Sequence, residues 1–385
     1  GDRALFNYAK KFDGCKLNEK NIIINKNKIK FFARKCPKGI TNALLFSASR
    51  IKKFHLHQIP KNYKYKDKKG VVLGSQWKPI SSIGIYIPGG TASYPSSILM
   101  NSIPAKIAGV KKIVMVTPQK NTELNPIIAK AAEIVGIDII YRVGGAHSIA
   151  ALAYGTKSVE SVDKIVGPGN IYVSIAKKKI FGDVGIDMIA GPSEILVVSD
   201  KNNNPDWIAA DLLSQSEHDV NSRSILLTND FLFAKKVAKS IDLILKELPR
   251  SKIASKSWKN NGKIIIIKNI SNSYKIINQL APEHLELAID KPERVFNKVN
   301  NAGSIFLGKY TPEAIGDYVA GPNHVLPTGR TARFSSGLGV MDFLKKITFI
   351  KCNKKSLHLL SNSAIKIAEA EGLDGHALSI NMRKK

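Results

Sequence analysis

The sequence predicts an α/β protein with two sheets, each covered by helices. Three observations carry this expectation. Short apolar runs recur along the chain, such as Ile195–Val198 and the four isoleucines Ile264–Ile267; unbroken apolar runs are the mark of strands buried on both faces. Stretches with apolar residues at helical spacing stand between them. The same strand–helix grammar fills the segment before residue 190 and again the segment after it, which looks duplicated although no clear sequence repeat is present. Right-handed crossovers then lay the helices over the sheets.

Taken in order, residues 1–30 open in a helix with Ala4, Leu5, Tyr8 and Phe12 on one face, and residues 31–58 continue helical. A Lys-rich loop and a short strand, Gly70–Trp77, come next. Ile83–Ile87 is a strand ending in Pro88-Gly89-Gly90. Ile113–Thr117 is a strand, Asn125–Val135 a helix stopped by Gly136, and Ile137–Val143 a strand. Gly144-Gly145 opens a helix, Ala146–Tyr154. Lys164–Val166 is a short strand, and Gly167-Pro168-Gly169-Asn170 leads into a helix, Ile171–Lys179. The second half starts with the strand Ile195–Val198, a polar loop, and a helix opened by Pro205 that carries Ile208, Leu212 and Leu213 at helical spacing. It continues with strand Ser224–Thr228, helix Phe231–Leu248 and strand Ile264–Ile267. A helix over Ser271–Leu287, interrupted at Pro282, and a strand Gly303–Leu307 complete the set. After Leu338 the alternation stops, leaving a short strand Thr348–Ile350, a helix Ser356–Glu371 and a polar end.

With 385 residues the chain buries a large core and forms two or three domains. A 44% hydrophobic and 23% charged composition is that of a soluble globular protein. No apolar run reaches the roughly 18 to 20 residues that span a bilayer, and the first residues carry no apolar signal-type region. Cys15, Cys36 and Cys352 are scattered and form no C-x-x-C, which points to a reducing, cytoplasmic setting and away from thiolate metal sites. The net charge of +29 invites a nucleic-acid reading. Only 10 of the 59 basic residues are Arg, and the lysines are spread among many Ile and Asn. Lys is the poorer residue for reading bases and gripping phosphates, so the charge is read as compositional bias and no nucleic-acid partner is expected.

The chemistry-bearing strings lie at loop and helix ends. Gln215-Ser216-Glu217-His218-Asp219 ends the Pro205 helix, and Gln215 and His218, three apart, share a face able to offer two ligands to one ion. Without Cys, a zinc ion here needs His plus oxygen donors. Such donors occur in Ala281-Pro282-Glu283-His284-Leu285-Glu286, in Gly316-Asp317-Tyr318 with Gly321-Pro322-Asn323-His324, and in Glu371-Gly372-Leu373-Asp374-Gly375-His376. Each also has a bland reading as a solvated acid, a core histidine or an Asx turn. Pro88-Gly89-Gly90 and Gly167-Pro168-Gly169-Asn170 offer backbone N–H groups for a phosphate, but neither is G-x-G-x-x-G and no P-loop lysine motif is present.

Together these strings resemble histidinol dehydrogenase. GIYIPGG (84–90), RVGGA (142–146), DKIVGPGN (163–170), IDMIAGPSEILVV (186–198), PDWIAADLLSQSEHD (205–219), APEHLE (281–286), GDYVAGPNHVLPTGRTARF (316–334) and EGLDGH (371–376) stand in the family's order and cover the whole chain. The resemblance implies two Rossmann-like α/β domains, incomplete and duplicated-looking, plus a C-terminal dimerisation arm. Residues 1–85 and 194–338 would form the first domain, 86–193 the NAD-binding domain, and 339–385 an arm completing the active site of the partner in a homodimer. It further implies oxidation of L-histidinol to L-histidine through bound L-histidinaldehyde, with two NAD and one Zn²⁺ per subunit. Carried over by motif, Gln215, His218, Asp317 and His376 would hold zinc. Glu283 and His284 would transfer protons. Ser193 and Glu371 would join the zinc ligands and His284 in binding substrate, and Tyr86, His147 and Asn170 would contact NAD.

Two features depart from the family pattern. His147 stands where the family usually has Gln, and the string Gly1–Gly14 is normally preceded by a further N-terminal segment. Two other classes are alternatives: a zinc-dependent hydrolase on the same residues, and an inactive fold relative with a basic nucleic-acid-binding surface, against which the intact Gln215, His218, Asp317, His376, Glu283 and His284 argue. NAD dependence separates the first of these from a dehydrogenase.

Overall fold

The computed structural model describes residues 1–89, 94–119 and 123–384; Gly90 of the expected Pro88-Gly89-Gly90 turn lies outside them. In chain order the strands are β1 (Ile23–Asn25), β2 (Tyr63–Lys66), β3 (Val72–Pro79), β4 (Ser82–Tyr86), β5 (Lys112–Val116), β6 (Ile139–Tyr141), β7 (Lys164–Val166) and β8 (Gly185–Ile186). Then come β9 (Glu194–Ser199), β10 (Arg223–Thr228), β11 (Lys263–Ile266), β12 (His284–Ala288), β13 (Ser304–Leu307) and β14 (Leu344–Lys351). One sheet runs β1-β6-β5-β4-β7-β8, parallel except for β1. The other runs β11-β10-β9-β12-β13 and is parallel throughout. In both, the earliest strand of the parallel run (β4 or β9) lies inside, with the next two strands on one side and the two after those on the other. The order therefore reverses between β4 and β7, and between β9 and β12, which opens a crevice at each reversal.

The apolar runs became strands because both faces are covered. Along β9, Ile195 and Val197 enter one core cluster while Leu196 and Val198 enter another. In β5, Ile113 and Met115 face one cluster and Val114 and Val116 the other. Alternation of this kind, with every residue of β9 buried, erases the polar half of a strand pattern. The helix Pro205–Ser216 starts as expected: Pro205 sits in its first turn and the Asn204 side chain accepts the Asp206 N–H.

Several expectations are corrected. The segment around Pro282 is not an interrupted helix. A helix covers Ser273–Leu280 and ends at Ala281, which takes a left-handed φ of 48°; Pro282 cannot extend a helix, and the chain re-emerges as β12, between β9 and β13. The N-terminal face is also different: Leu5 and Ala9 are buried, whereas Tyr8 and Phe12 are exposed and lie against the His147 ring. Residues before 86 do not all go with the 194–338 unit. β1 pairs with β6, β4 is interior to the first sheet, and Ile29, Leu44 and Ile51 share its core cluster. Helices Pro95–Ala108 and Ser251–Asn261, strands β1 and β2, and the last helix Asp374–Asn381 were not anticipated.

The C-terminal segment behaves as an appendage. β14 pairs antiparallel with β3, which pairs with β2, in a separate three-stranded sheet. Helices Lys354–Ala370 and Asp374–Asn381 bury only a small cluster around Ile365, Ala368 and Ala377. Leu359, Ile367, Leu378 and Met382 remain exposed. Among the described residues no helix is long and apolar enough to cross a membrane.

Candidate active site

A cleft of about 710 Å³ lies where the two sheets turn different ends toward each other. The first sheet contributes loops at the carboxyl ends of its strands: Pro88 beyond β4 and Gly167–Asn170 beyond β7. The second contributes residues at the amino ends of its strands: Ser193 just ahead of β9, and Glu283 with His284 at the start of β12. The helix after β9 runs back along its sheet, so its end delivers Gln215 and His218 to the same amino edge. Asp317 arrives on the short helix Glu313–Tyr318.

One backbone residue, Glu194, holds both Glu283 and His284. The Glu194 N–H donates to Glu283 Oε2 at 2.8 Å, and His284 Nδ1 donates to the Glu194 carbonyl at 3.0 Å. This fixes the imidazole tautomer, because the nitrogen facing a carbonyl must carry the proton. The Nε2 lone pair is left pointing toward Glu313 Oε1 and Asp317 Oδ1, at 3.7 and 3.9 Å. His284 Nε2, Glu313 Oε1 and Gln215 Oε1 are all buried without a hydrogen-bond partner. Orphaned buried acceptors such as these are what a cation or a proton-bearing ligand would satisfy.

The sequence pattern of the histidinol dehydrogenase family matches residues 1–384. Histidinol dehydrogenase 1 of Nostoc sp. is 51% identical over 383 residues, covering 100% of this chain and 88% of that protein. The Brucella abortus histidinol dehydrogenase is also 51% identical, with 89% of its length covered. A solved histidinol dehydrogenase from Elizabethkingia anophelis superposes with a TM-score of 0.94 at 41% identity, covering 99% of this chain and 88% of that one.

This chain belongs to the histidinol dehydrogenase family.

As a member of the histidinol dehydrogenase family the chain places its anticipated site residues in three groups. Ser193, Gln215, His218, Glu283, His284, Asp317 and Asn170 line the one cleft. Tyr86 and His147 meet elsewhere, at the start of helix Gly145–Tyr154. There the Gly145 N–H donates to the Tyr86 hydroxyl at 3.2 Å, while Asp13 accepts from the Gly144 N–H and pairs with His147 at 3.1 Å. Glu371 and His376 are exposed on the C-terminal segment and do not line this chain's cleft. Glu194 and Glu313 were missed as site residues, and His324, a candidate donor by its motif string, was given no role. Glu313 had a signal: it stands four residues before Asp317, on the same face of one helical turn. Glu194 acts through its backbone, which no side-chain pattern reveals.

Electrostatics in the cleft are set by dehydration. Burial pushes Glu283 well above the usual carboxylate range, and the nearby charges of Asp317, Glu194 and Glu313 push the same way against the pull of the Glu194 N–H. Burial keeps His284 below the ordinary imidazole value, hence neutral. His324, whose Nδ1 donates to the Asp317 carbonyl at 3.0 Å, is pushed down to about 4 by burial. Asp317 is raised by burial and by the neighbouring charge of Glu313. A divalent cation beside Asp317 would reverse that last effect. His284, Glu313 and Asp317 offer ligand atoms within 4.8 Å of one another.

Proposed function

We propose that this cleft oxidises L-histidinol to L-histidine by two successive hydride transfers to NAD, with L-histidinaldehyde held in place between them. Family membership over the whole chain supports the reaction. The observation that carries the division of labour is the single residue Glu194, whose backbone N–H and C=O orient Glu283 and His284. Neutral His284 takes the hydroxyl proton on Nε2 as the first hydride leaves the carbinol carbon for NAD. The aldehyde then adds water, whose proton goes to Glu283. Its raised proton affinity makes it a stronger base than an exposed carboxylate. His284 releases its first proton to solvent before the second oxidation; the hydrate then loses the second hydride to a second NAD, and neutral His284 accepts the accompanying hydroxyl proton. Groups in such roles contribute about 10²- to 10⁴-fold each.

Zinc fits the donor set of two histidines, a carboxylate and a carboxamide. We assign it to Gln215, His218 and Asp317 of one protomer and to the partner's His376. Among the described residues the tightest trio of possible ligands is His284, Glu313 and Asp317, but occupying His284 Nε2 would remove the base. Glu313 also lies deeper than Asp317, with side chains 2% and 17% exposed. Gln215 supplies an orphaned buried oxygen, and His218 opens to the cleft. When bound, the ion would orient the nitrogens of the substrate and supply positive charge beside Asp317.

The remaining roles rest on the same reading. Ser193 and Glu371 help hold substrate, the latter from the partner. NAD lies over the first sheet's carboxyl ends, against Asn170 and near Tyr86 and His147. The Asn170 side chain caps its helix through the Val173 N–H, which leaves its NH₂ free to donate. Residues 339–385 would pack on a second copy; the small cluster and exposed apolar residues of their last two helices support this. The test is NADH formation from L-histidinol with zinc-replete protein, before and after chelation. Turnover that needs both NAD and metal is expected; none in a dimeric, zinc-replete sample refutes the reading.

A further inference from the structure

The site contains a buried ion pair that the chemistry above does not use. Lys177 lies on helix Ile171–Ile180, and Asp187 just after β8. Their side chains form a salt bridge while only 3% and 1% exposed. Both reach the same residue, Gly167. The Gly167 N–H donates to Asp187 Oδ2 at 2.8 Å, and Lys177 Nζ donates to the Gly167 carbonyl at 3.1 Å. Asp187 Oδ1 also accepts the Met188 N–H at 2.7 Å. Gly167 cannot be held by a side chain of its own: its φ is 110°, and a Cβ there would stand 2.2 Å from the Tyr86 carbonyl oxygen.

We propose that Lys177 and Asp187 are positioning residues for the dinucleotide, clamping Gly167 from both sides and fixing the loop 167–170 relative to the turn 191–193. This rests on the reading of the Asn170 loop as the nucleotide site. Gly167, Asp187 and Met188 all line the cleft, so the clamp stands directly behind its wall. It also joins the two walls. Asp187 begins the segment that runs to Ser193, and Ser174 on the Lys177 helix donates to the Ala190 carbonyl at 3.2 Å. Stability alone does not call for ions here, because a buried pair can often be replaced by apolar side chains without loss. What apolar groups cannot do is hold both the N–H and the C=O of one peptide residue.

The experiment compares zinc-replete wild type with the double variant Lys177→Met/Asp187→Leu. The double variant is expected to melt within about 5 °C of wild type. Its KM for NAD should rise about tenfold or more, since displacement of a positioned group is that costly, while its KM for L-histidinol stays within about twofold. A folded double variant with an unchanged KM for NAD overturns the proposal. Equal rises in both KM values overturn it too, as they mark a general brace. Should the double variant fail to fold, Asp187→Asn decides. It keeps an acceptor for the Gly167 N–H but loses the charge facing Lys177, and an unchanged KM for NAD there is equally fatal. Asn170→Ser keeps a helix cap and removes the carboxamide. A raised KM for NAD in that variant, with none in the pair variants, overturns the clamp alone. No rise in Asn170→Ser removes the nucleotide reading and the clamp with it.

Discussion

At the scale of residues, the cleft separates groups that would hold metal from groups that would move protons. His284 reaches the Glu194 carbonyl through Nδ1, and Glu283 accepts the N–H of the same residue. Neither bond needs a cation. His284→Ala and Glu283→Ala are therefore expected to keep a full zinc complement and to lose about 10²- to 10⁴-fold in turnover. Asp317→Ala and His376→Ala are expected to lose zinc along with turnover. Metal analysis on purified, dialysed variants checks this, and an empty site in His284→Ala would show that its Nε2 is a ligand after all. Glu313→Gln should retain zinc, because Glu313 lies behind Asp317.

At the scale of elements, β12 is an apolar strand carrying an acid in its middle. Glu286 is 1% exposed. Burial, then the charge and hydrogen bond of Asp211, hold it well above the carboxylate range, and burial raises Asp211 itself to about 6. A carboxyl raised on folding binds its proton more tightly in the native state, so stability falls as pH rises from about 4 through the folded values. Glu286→Gln should thus gain on wild type between pH 4 and pH 8, by on the order of 1 kcal/mol. Urea unfolding at the two pH values reads the difference, and equal pH slopes for both proteins would refute it. The helix before β12 offers a second check. Ala281 at φ 48° is strained by about 1–2 kcal/mol. Glycine relieves this but loosens the unfolded chain by about 0.4–1 kcal/mol. Ala281→Gly should raise the urea midpoint slightly, and a lowered midpoint would mean that the Ala281 methyl packing outweighs the strain.

At the scale of the whole molecule, the proposed site draws two of its residues from a second chain. Glu371 and His376 are exposed on a segment with little core of its own. If they serve the partner, two dead variants should complement each other. Co-expressed His284→Ala and His376→Ala chains would give mixed dimers with one site doubly altered and one intact. With random pairing the preparation should regain about a quarter of wild-type activity. No recovery above either variant alone would place both residues in the same chain's site.

The strand–helix alternation was legible because burial on both faces of parallel strands leaves continuous apolar runs, as in Ile195–Val198 and Ile264–Ile267. Helix starts were legible where a local cap marks them, as at Asn204-Pro205. The segment Ser271–Leu287 misled because Leu280, His284 and Leu287 keep helical spacing, while the element that decides, a central strand position between β9 and β13, is a long-range fact. The motif strings by themselves determined which side chains belong together: Gln215, His218, Glu283, His284 and Asp317 converge in one cleft. Only the tertiary structure decided how. The amino edge of one sheet faces the carboxyl edge of the other, the backbone of Glu194 holds both Glu283 and His284, and a buried ion pair grips Gly167. Backbone hydrogen bonds and dehydration leave no periodic trace in a sequence, since they depend on which chain segments fold against each other and not on the order in which residues are joined.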